Sequence, residues 1–460
     1  MTMSLDRTTL VRTLLAELNG QLITPDDDAY DTARTVYPGT IDRRPALIAR
    51  PANASQVAQV IAAARQAGLP LAVRGGGHGN AGHGVWDDGL VLDLRDMKNI
   101  DIDVEGRTAW AETGLTAGEY TTAVGAHGLV TGFGDAGTVG LGGLTLGGGI
   151  GFLVRRHGLT IDSLLAAEIV TADGEILHVD ADHHPDLFWA IRGGGGNFGV
   201  VTRLKFRLHE LPVIVGGMLM LPATAETVRG FVAESEAAPE ELSTIANIMP
   251  SPPMPFVPEE FHGKLVIMAM MCYAGTAEEA GPVLDRFRAL ATPIADLLEE
   301  MPYAGMYPPE PDGFHPVAES TNLFIDRADP ETVETIIHYL TSCTAEVSAA
   351  QLRVLGGAMA RVPSDATAFG HRQSKIMVNL AAIYEDPAES PVHQAWVAEF
   401  AEAIRQDDQG VYVNFLGEEG EDRVRAAYPG GGFERLAAVK AVYDPDNVFR
   451  LNQNIPPATS

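Results

Sequence analysis

At 460 residues with 46% hydrophobic content, the chain is long enough for two domains, each with its own core. Its 61 acidic residues against 32 basic ones leave a net charge of −29, which repels a phosphate backbone and argues against a nucleic-acid partner. Cys272 and Cys343 are too few for a disulfide framework, no apolar run is long enough to cross a bilayer, and residues 1–18 lack a signal-peptide layout; a soluble cytoplasmic protein with no membrane partner is expected.

Thr8 or Thr9 is placed to cap a helix with Leu10, Val11, Leu14, Leu15 and Leu18 on one face and Gly20 at its end. A strand is predicted over 46–51. A helix follows from Asn53, with Val57, Val60, Ile61 and Ala64 on its apolar face and Gly68 as its stop. The strand over 69–73 then delivers Arg74-Gly75-Gly76-Gly77-His78-Gly79-Asn80. A backbone free of side chains can press against a flat or anionic ligand, and its consecutive N–H groups form a nest for oxygens.

Strands are predicted over 90–94, 100–102 and 108–112, and a helix over 116–127. Next comes a second glycine cluster containing Gly142, Gly143, Gly147, Gly148, Gly149 and Gly151. Strands over 166–171 and 176–179 and a short helix over 185–191 lead to the third cluster, Gly193 to Gly196 with Asn197, Phe198 and Gly199; a strand over 200–208 closes the first domain near Pro212. Beyond it, strands over 215–221, 243–249, 264–273, 322–326, 351–355 and 375–384 alternate with helices over 225–237, 277–291, 330–342 and 390–406. The pattern describes an antiparallel sheet with helices on one face and the other open to a ligand. Gln351 and Arg353 share one strand face and are candidates for holding a polar substrate. Proline-rich loops over 250–258 and 308–316 are expected at the pocket rim, and the tail over 412–455 carries a short strand and a helix over 433–442.

Several motifs are set aside. Gly194-x-Gly196-x-x-Gly199 has a helix before it and a strand after it, the reverse of a nicotinamide fingerprint. Gly263-Lys264 is followed by Leu265, so there is no P-loop. Neither His78 with His83 nor His183-His184 presents a regular chelating face, and no metal is expected.

The three clusters in this order, with Arg156-His157-Gly158-Leu159-Thr160-Ile161-Asp162 between the second and third, resemble the berberine-bridge-enzyme-like FAD-linked oxidases of the vanillyl-alcohol oxidase superfamily. So do Tyr443-Asp444-Pro445-Asp446-Asn447-Val448-Phe449 and Asn452-Gln453-Asn454-Ile455 near the end. The resemblance implies an α+β, two-domain flavoprotein: a PCMH-type FAD-binding domain over 1–212 (core about 42–212), a substrate domain over 213–411 with an antiparallel sheet, and a segment over 412–460 returning to the FAD domain.

It implies covalent FAD, bonded at its 8α-methyl carbon to a ring nitrogen of His78. Arg74, Gly75, Gly76, Gly77, Gly79, Asn80, His83, Thr138, Val139, Gly142, Gly143, Gly147, Gly148, Gly149, Gly151, Asn197, Gly199, Val200, Asn414 and Asn452 are implied around the cofactor. Ala136 stands where many members carry a cysteinyl second tether, so a single link is expected, as in the 6-hydroxynicotine oxidase branch. Leu141 falls where a residue governs oxygen access, and leucine there goes with weaker oxygen reactivity; the acceptor is O2 or another oxidant. Tyr412-Val413-Asn414-Phe415 resembles a Tyr-x-Asn-Tyr strand whose tyrosine, with a lowered pKa, takes a substrate proton. His371 falls in a segment found beside the pocket, where a structural role and a substrate-facing one are equally open to it.

The expected reaction is oxidation of a small-molecule alcohol, amine or activated C–H group by hydride transfer to flavin N5. The rivals are an oxygenating or cyclising flavoenzyme of secondary metabolism and a non-catalytic flavin-binding protein.

Overall fold

The computed structural model describes residues 22–309 and 313–459, together with Val11 and Leu18. Apart from those two residues, both buried, the helix expected before Gly20 lies outside the described residues.

Near the start, parallel strands Leu47–Ala49, Leu90–Asp93 and Leu71–Arg74 lie side by side in that order, with Leu22–Ile23 antiparallel on the edge. Between the first and last of them in sequence runs the helix Ala54–Ala67. The Asn53 side chain accepts from the Gln56 N–H at its start, and Gly68 at φ 63° closes it. Its buried residues Val57, Val60, Ile61 and Ala64 meet Leu47, Leu71, Leu90 and Leu92 of the sheet in one core. A second sheet is antiparallel, in the order Ile100–Asp103, Thr108–Glu112, Val200–Arg207, Leu164–Val170 and Ile176–Asp180.

The largest sheet is antiparallel too. Its main path runs Ala295–Asp296, Ile214–Pro222, Leu265–Tyr273, Leu242–Pro250, Val347–Val354, Ile376–Ile383 and Ala318–Ile325. Strand alternation sends Leu219, Leu221, Ile248, Ile267, Leu352 and Val378 to one face, where they pack with Phe231, Leu284, Ile336 and Phe400 of the helices Ala225–Ala237, Ala277–Arg288, Pro330–Ser342 and Ser390–Ala403. The alternate positions, Asn247, Gln351, Arg353, Asn379 and Asn322, point the other way, and Arg353 reaches the Ile150 carbonyl in the second glycine cluster.

One helix was not foreseen, and one expectation about local structure is corrected. The second glycine cluster contains a helix, Leu141–Leu146. Its glycines disfavour helix, but Leu141, Leu144 and Leu146 reach the core of Leu115, Tyr120 and Phe133, and tertiary burial overrides propensity. The segment at Tyr412 is no strand. Its N–H donates to the Asn322 side chain, and a single 3-10 turn, Val413–Phe415, follows. The tail instead carries the helices Glu421–Ala426 and Gly432–Tyr443, the second of which was expected.

Candidate active site

The strand Leu71–Arg74 ends on a guanidinium that turns inward. Arg74 is 1% exposed and meets the Asp93 carboxylate, itself fully buried, at 2.7 Å; Arg50 and Arg95 reach the same carboxylate. Burial alone would push the Asp93 pKa up, but the Arg74 and Arg95 cations outweigh it and hold the group at about 2. Arg74 therefore supports the loop from behind through its Asp93 pair. Beyond it, Gly76 packs on Gly140: a Cβ built on Gly76 lies 2.3 Å from the Gly140 nitrogen, so the first and second clusters touch backbone to backbone.

His78 emerges from this contact, half-buried. Its ring lies flat on that of Tyr37, with centroids 4.1 Å apart and planes 20° from parallel. Burial pushes its pKa down to about 4, so the imidazole is neutral at physiological pH. A hydrogen bond to the Thr138 backbone acts in the opposite direction, as donation from the ring N–H to a carbonyl does. That bond fixes the tautomer and leaves the other ring nitrogen with its lone pair. A Cβ added to Gly79 or Gly143 meets nothing within 4 Å, so the backbone on either side is bare.

Tyr412, 2% exposed, ties the second cluster to the tail. Its phenolic oxygen accepts from the Gly149 N–H (2.9 Å), the Asn414 amide (2.9 Å) and, at 3.4 Å, the Ile150 N–H. Burial raises the Tyr412 pKa, and those donors and Arg353 only partly offset it, which corrects the expected lowering. Asn414 also donates to the Leu144 carbonyl, and its side chain fills the space a Cβ on Gly147 would take; Gly148 lies against Phe369 and Tyr412, and Gly151 against the Phe133 carbonyl.

Opposite stands the open sheet face. Gln351 donates to Asn247 (2.9 Å), and Arg353 donates to Gln351, to the Ile150 carbonyl (3.2 Å) and to Asp135 (2.5 Å), with Phe415 beneath its guanidinium. The strand register aligns Asn322, Asn379, Gln351 and Asn247 across four neighbouring strands. Among the described residues the Asn379 Oδ1 and Asn322 Nδ2 atoms are buried without a partner, so this row has hydrogen-bonding capacity to spare. Sequence reasoning missed Asp135, Asn247, Asn322 and Asn379; for the three asparagines the available signal was an amide standing mid-strand among apolar neighbours, and for Asp135, in a loop, there was none.

Other expected residues have these places. The Asn197 amide donates to Gly194 and Gln453 carbonyls and accepts from the Ile455 N–H, so it clasps the tail; Gly199 and Val200 are buried against the strand Leu164–Val170. His371 is bonded to the Ala426 carbonyl and packed on Phe324, an anchor for the tail and not an open substrate contact. Val139 accepts from the Ala117 N–H. Asn80 bridges to Ser320, while His83 and Asn452 line a cavity of about 180 Å³ with Glu418 and Asn454. Leu141 is wholly enclosed in the core. Arg372, not foreseen, grips Asp162 with two bonds of 2.7 and 2.8 Å, holding the turn after Gly158.

A family model described as FAD binding domain matches residues 45–180, and one described as berberine and berberine-like matches 411–456. YgaK of Bacillus subtilis (strain 168), an uncharacterised FAD-linked oxidoreductase, is 31% identical over 456 residues, 96% of this chain and 98% of its own. The chain is a berberine-bridge-enzyme-like FAD-linked oxidoreductase. Within that family, (R)-6-hydroxynicotine oxidase of Paenarthrobacter nicotinovorans is 31% identical over 461 residues, covering 96% of this chain and 98% of the relative. The crystal structure of 6-hydroxy-D-nicotine oxidase from Arthrobacter nicotinovorans superimposes with a TM-score of 0.85 at 28% identity, over 95% of this chain and 98% of that one. Glucooligosaccharide oxidase from Acremonium strictum, a protein with a 6-S-cysteinyl, 8α-N1-histidyl FAD, does so at 0.86 and 25%, over 98% of this chain and 100% of that one.

The FAD that defines this oxidoreductase family fits the residues present: bare glycine backbone beside a neutral imidazole, and buried amide oxygens of Asn379, Asn452 and Asn454 that lack partners among the described residues. No described helix is long and apolar enough to cross a membrane.

Proposed function

We propose that this enzyme oxidises a small-molecule alcohol, amine or activated C–H group, with FAD held at its 8α carbon by His78 and by no second tether. In this reading residues 1–212 and 412–460 hold the cofactor, and 213–411 present the sheet face to the substrate. The observation that carries it is the placement of the His78 ring, stacked on Tyr37 at 4.1 Å beside the bare backbone of Gly79 and Gly143, where the first two glycine clusters touch; burial favours its neutral, nucleophilic form. Ala136 and the absence of any cysteine before Cys272 support a single link. The two unpaired cysteines suit the cytoplasm.

When bound, FAD supplies the two-electron acceptor for a hydride, which O2 or another oxidant regenerates. Asn322, Asn379, Gln351 and Asn247 orient the substrate through uncharged hydrogen bonds, and Asp135 neutralises Arg353, so the lining favours a polar molecule without net charge. A nicotine oxidase and an oligosaccharide oxidase among the relatives support an amine or alcohol as the reacting group. Tyr412 holds the proton leaving the substrate's O–H or N–H, its oxygen fixed by three N–H donors.

Anaerobic mixing with a panel of neutral alcohols, amines and sugars tests this. Bleaching of the yellow flavin by at least one compound is expected. A flavin that none of them bleaches points to the non-catalytic rival.

A further inference from the structure

We infer that Tyr37 is a positioning residue for the covalent attachment of FAD, holding the His78 ring in the one orientation from which its free nitrogen reaches the cofactor. The inference rests on the His78 tether proposed above. A histidine ring has two rotatable bonds. The bond to the Thr138 backbone sets which way the ring edge points, but it leaves the plane free to rock about that hydrogen bond. Tyr37 removes this freedom by covering one ring face at 4.1 Å and 20°.

Tyr37 is itself pinned. Its N–H donates to the Gly77 carbonyl, one residue from the imidazole it covers. Phe314 meets its ring edge-on at 6.2 Å, and two residues along Gly39 donates to the Pro316 carbonyl at 2.8 Å. The tyrosine is thus clamped between the histidine loop and the loop that precedes the strand Ala318–Ile325. It stands before residue 45, outside the matched FAD-binding segment.

The step it assists is balanced as follows. A bond forms between the His78 nitrogen and the 8α carbon, and one C–H bond of that methyl group breaks. The methyl hydrogen and the imidazole hydrogen pass to the cofactor as two protons with two electrons, and dissolved O2 removes them, becoming H2O2. Rate depends on how often the nitrogen is presented in line, and loss of a ring pair of this kind changes such populations roughly two- to tenfold.

The test compares full-length wild type, Tyr37→Phe, Tyr37→Leu and Tyr37→Met, each supplied with excess FAD. Total flavin and the fraction left on the chain after acid precipitation are followed over time. Tyr37→Phe should match wild type. Tyr37→Leu and Tyr37→Met should bind as much flavin in total but attach it several-fold more slowly. Either of the latter attaching it at the wild-type rate overturns the inference, as does a Tyr37→Phe defect as large as theirs. Should one of those two fail to fold, the other decides alone. Wild type that releases all its flavin into acid overturns the tether itself, a different result from any of these.

Discussion

Arg353 spans from the large sheet to Asp135 at 2.5 Å, closing an ion pair between residues 218 apart in the chain. The arginine side chain is 4% exposed and the aspartate 30%, so the pair is partly screened. Asp135→Asn should destabilise the protein by about 2 kcal/mol, less than the roughly 3–5 kcal/mol of a fully buried pair. It should also leave a buried cation facing the substrate side. Denaturant unfolding should show the first effect. Assays with neutral and carboxylate-bearing substrates should show the second as a lowered KM for the anionic ones alone.

Tyr412 gives a pH signature. Burial holds its pKa above the ordinary 10.0, so the base form is scarce at neutrality and grows about tenfold per pH unit. Anaerobic flavin reduction should therefore accelerate steadily into alkaline solution, and Tyr412→Phe should slow it by roughly a hundredfold or more while leaving the covalent flavin in place. A rate that levels off near neutrality would assign the proton to another group.

Acid should reveal the Asp93 cluster. Its folded pKa of about 2 lies below the ordinary 3.8, so its stabilisation is fully present above that ordinary value and fades as the pH falls toward 2. The shift corresponds to about 2 kcal/mol. Asp93→Asn should lose more at neutral pH, about 3 kcal/mol, because Arg74 is left buried without its counter-charge. Denaturation midpoints should show the gap between the two proteins closing as the pH approaches 2.

Local signals in the sequence carried far. The helices Ala225–Ala237 and Pro330–Ser342 begin and end where the sequence places them, because Thr224 and Asp329 cap them and their apolar spacing is regular. The alternation that puts Gln351 and Arg353 on one face is equally local. The helix Leu141–Leu146 was hidden because glycine propensity argues against it and only distant packing restores it. Tyr37, Asp135 and Asn322 are single polar residues whose meaning comes from partners on other elements, and no periodicity reports such partners. His371 shows the same limit: its neighbourhood in sequence leaves a structural and a substrate-facing role open, and only the structure shows its ring bonded to the Ala426 carbonyl and packed on Phe324.

The most direct measurement is proteolysis of the purified, acid-denatured protein followed by mass spectrometry of the peptide containing His78. The account predicts that this peptide carries the added mass of one FAD, with fragmentation placing it on the histidine, and that His78→Ala yields a chain without it. Unmodified His78 peptide from wild-type protein that was yellow before denaturation would contradict the account.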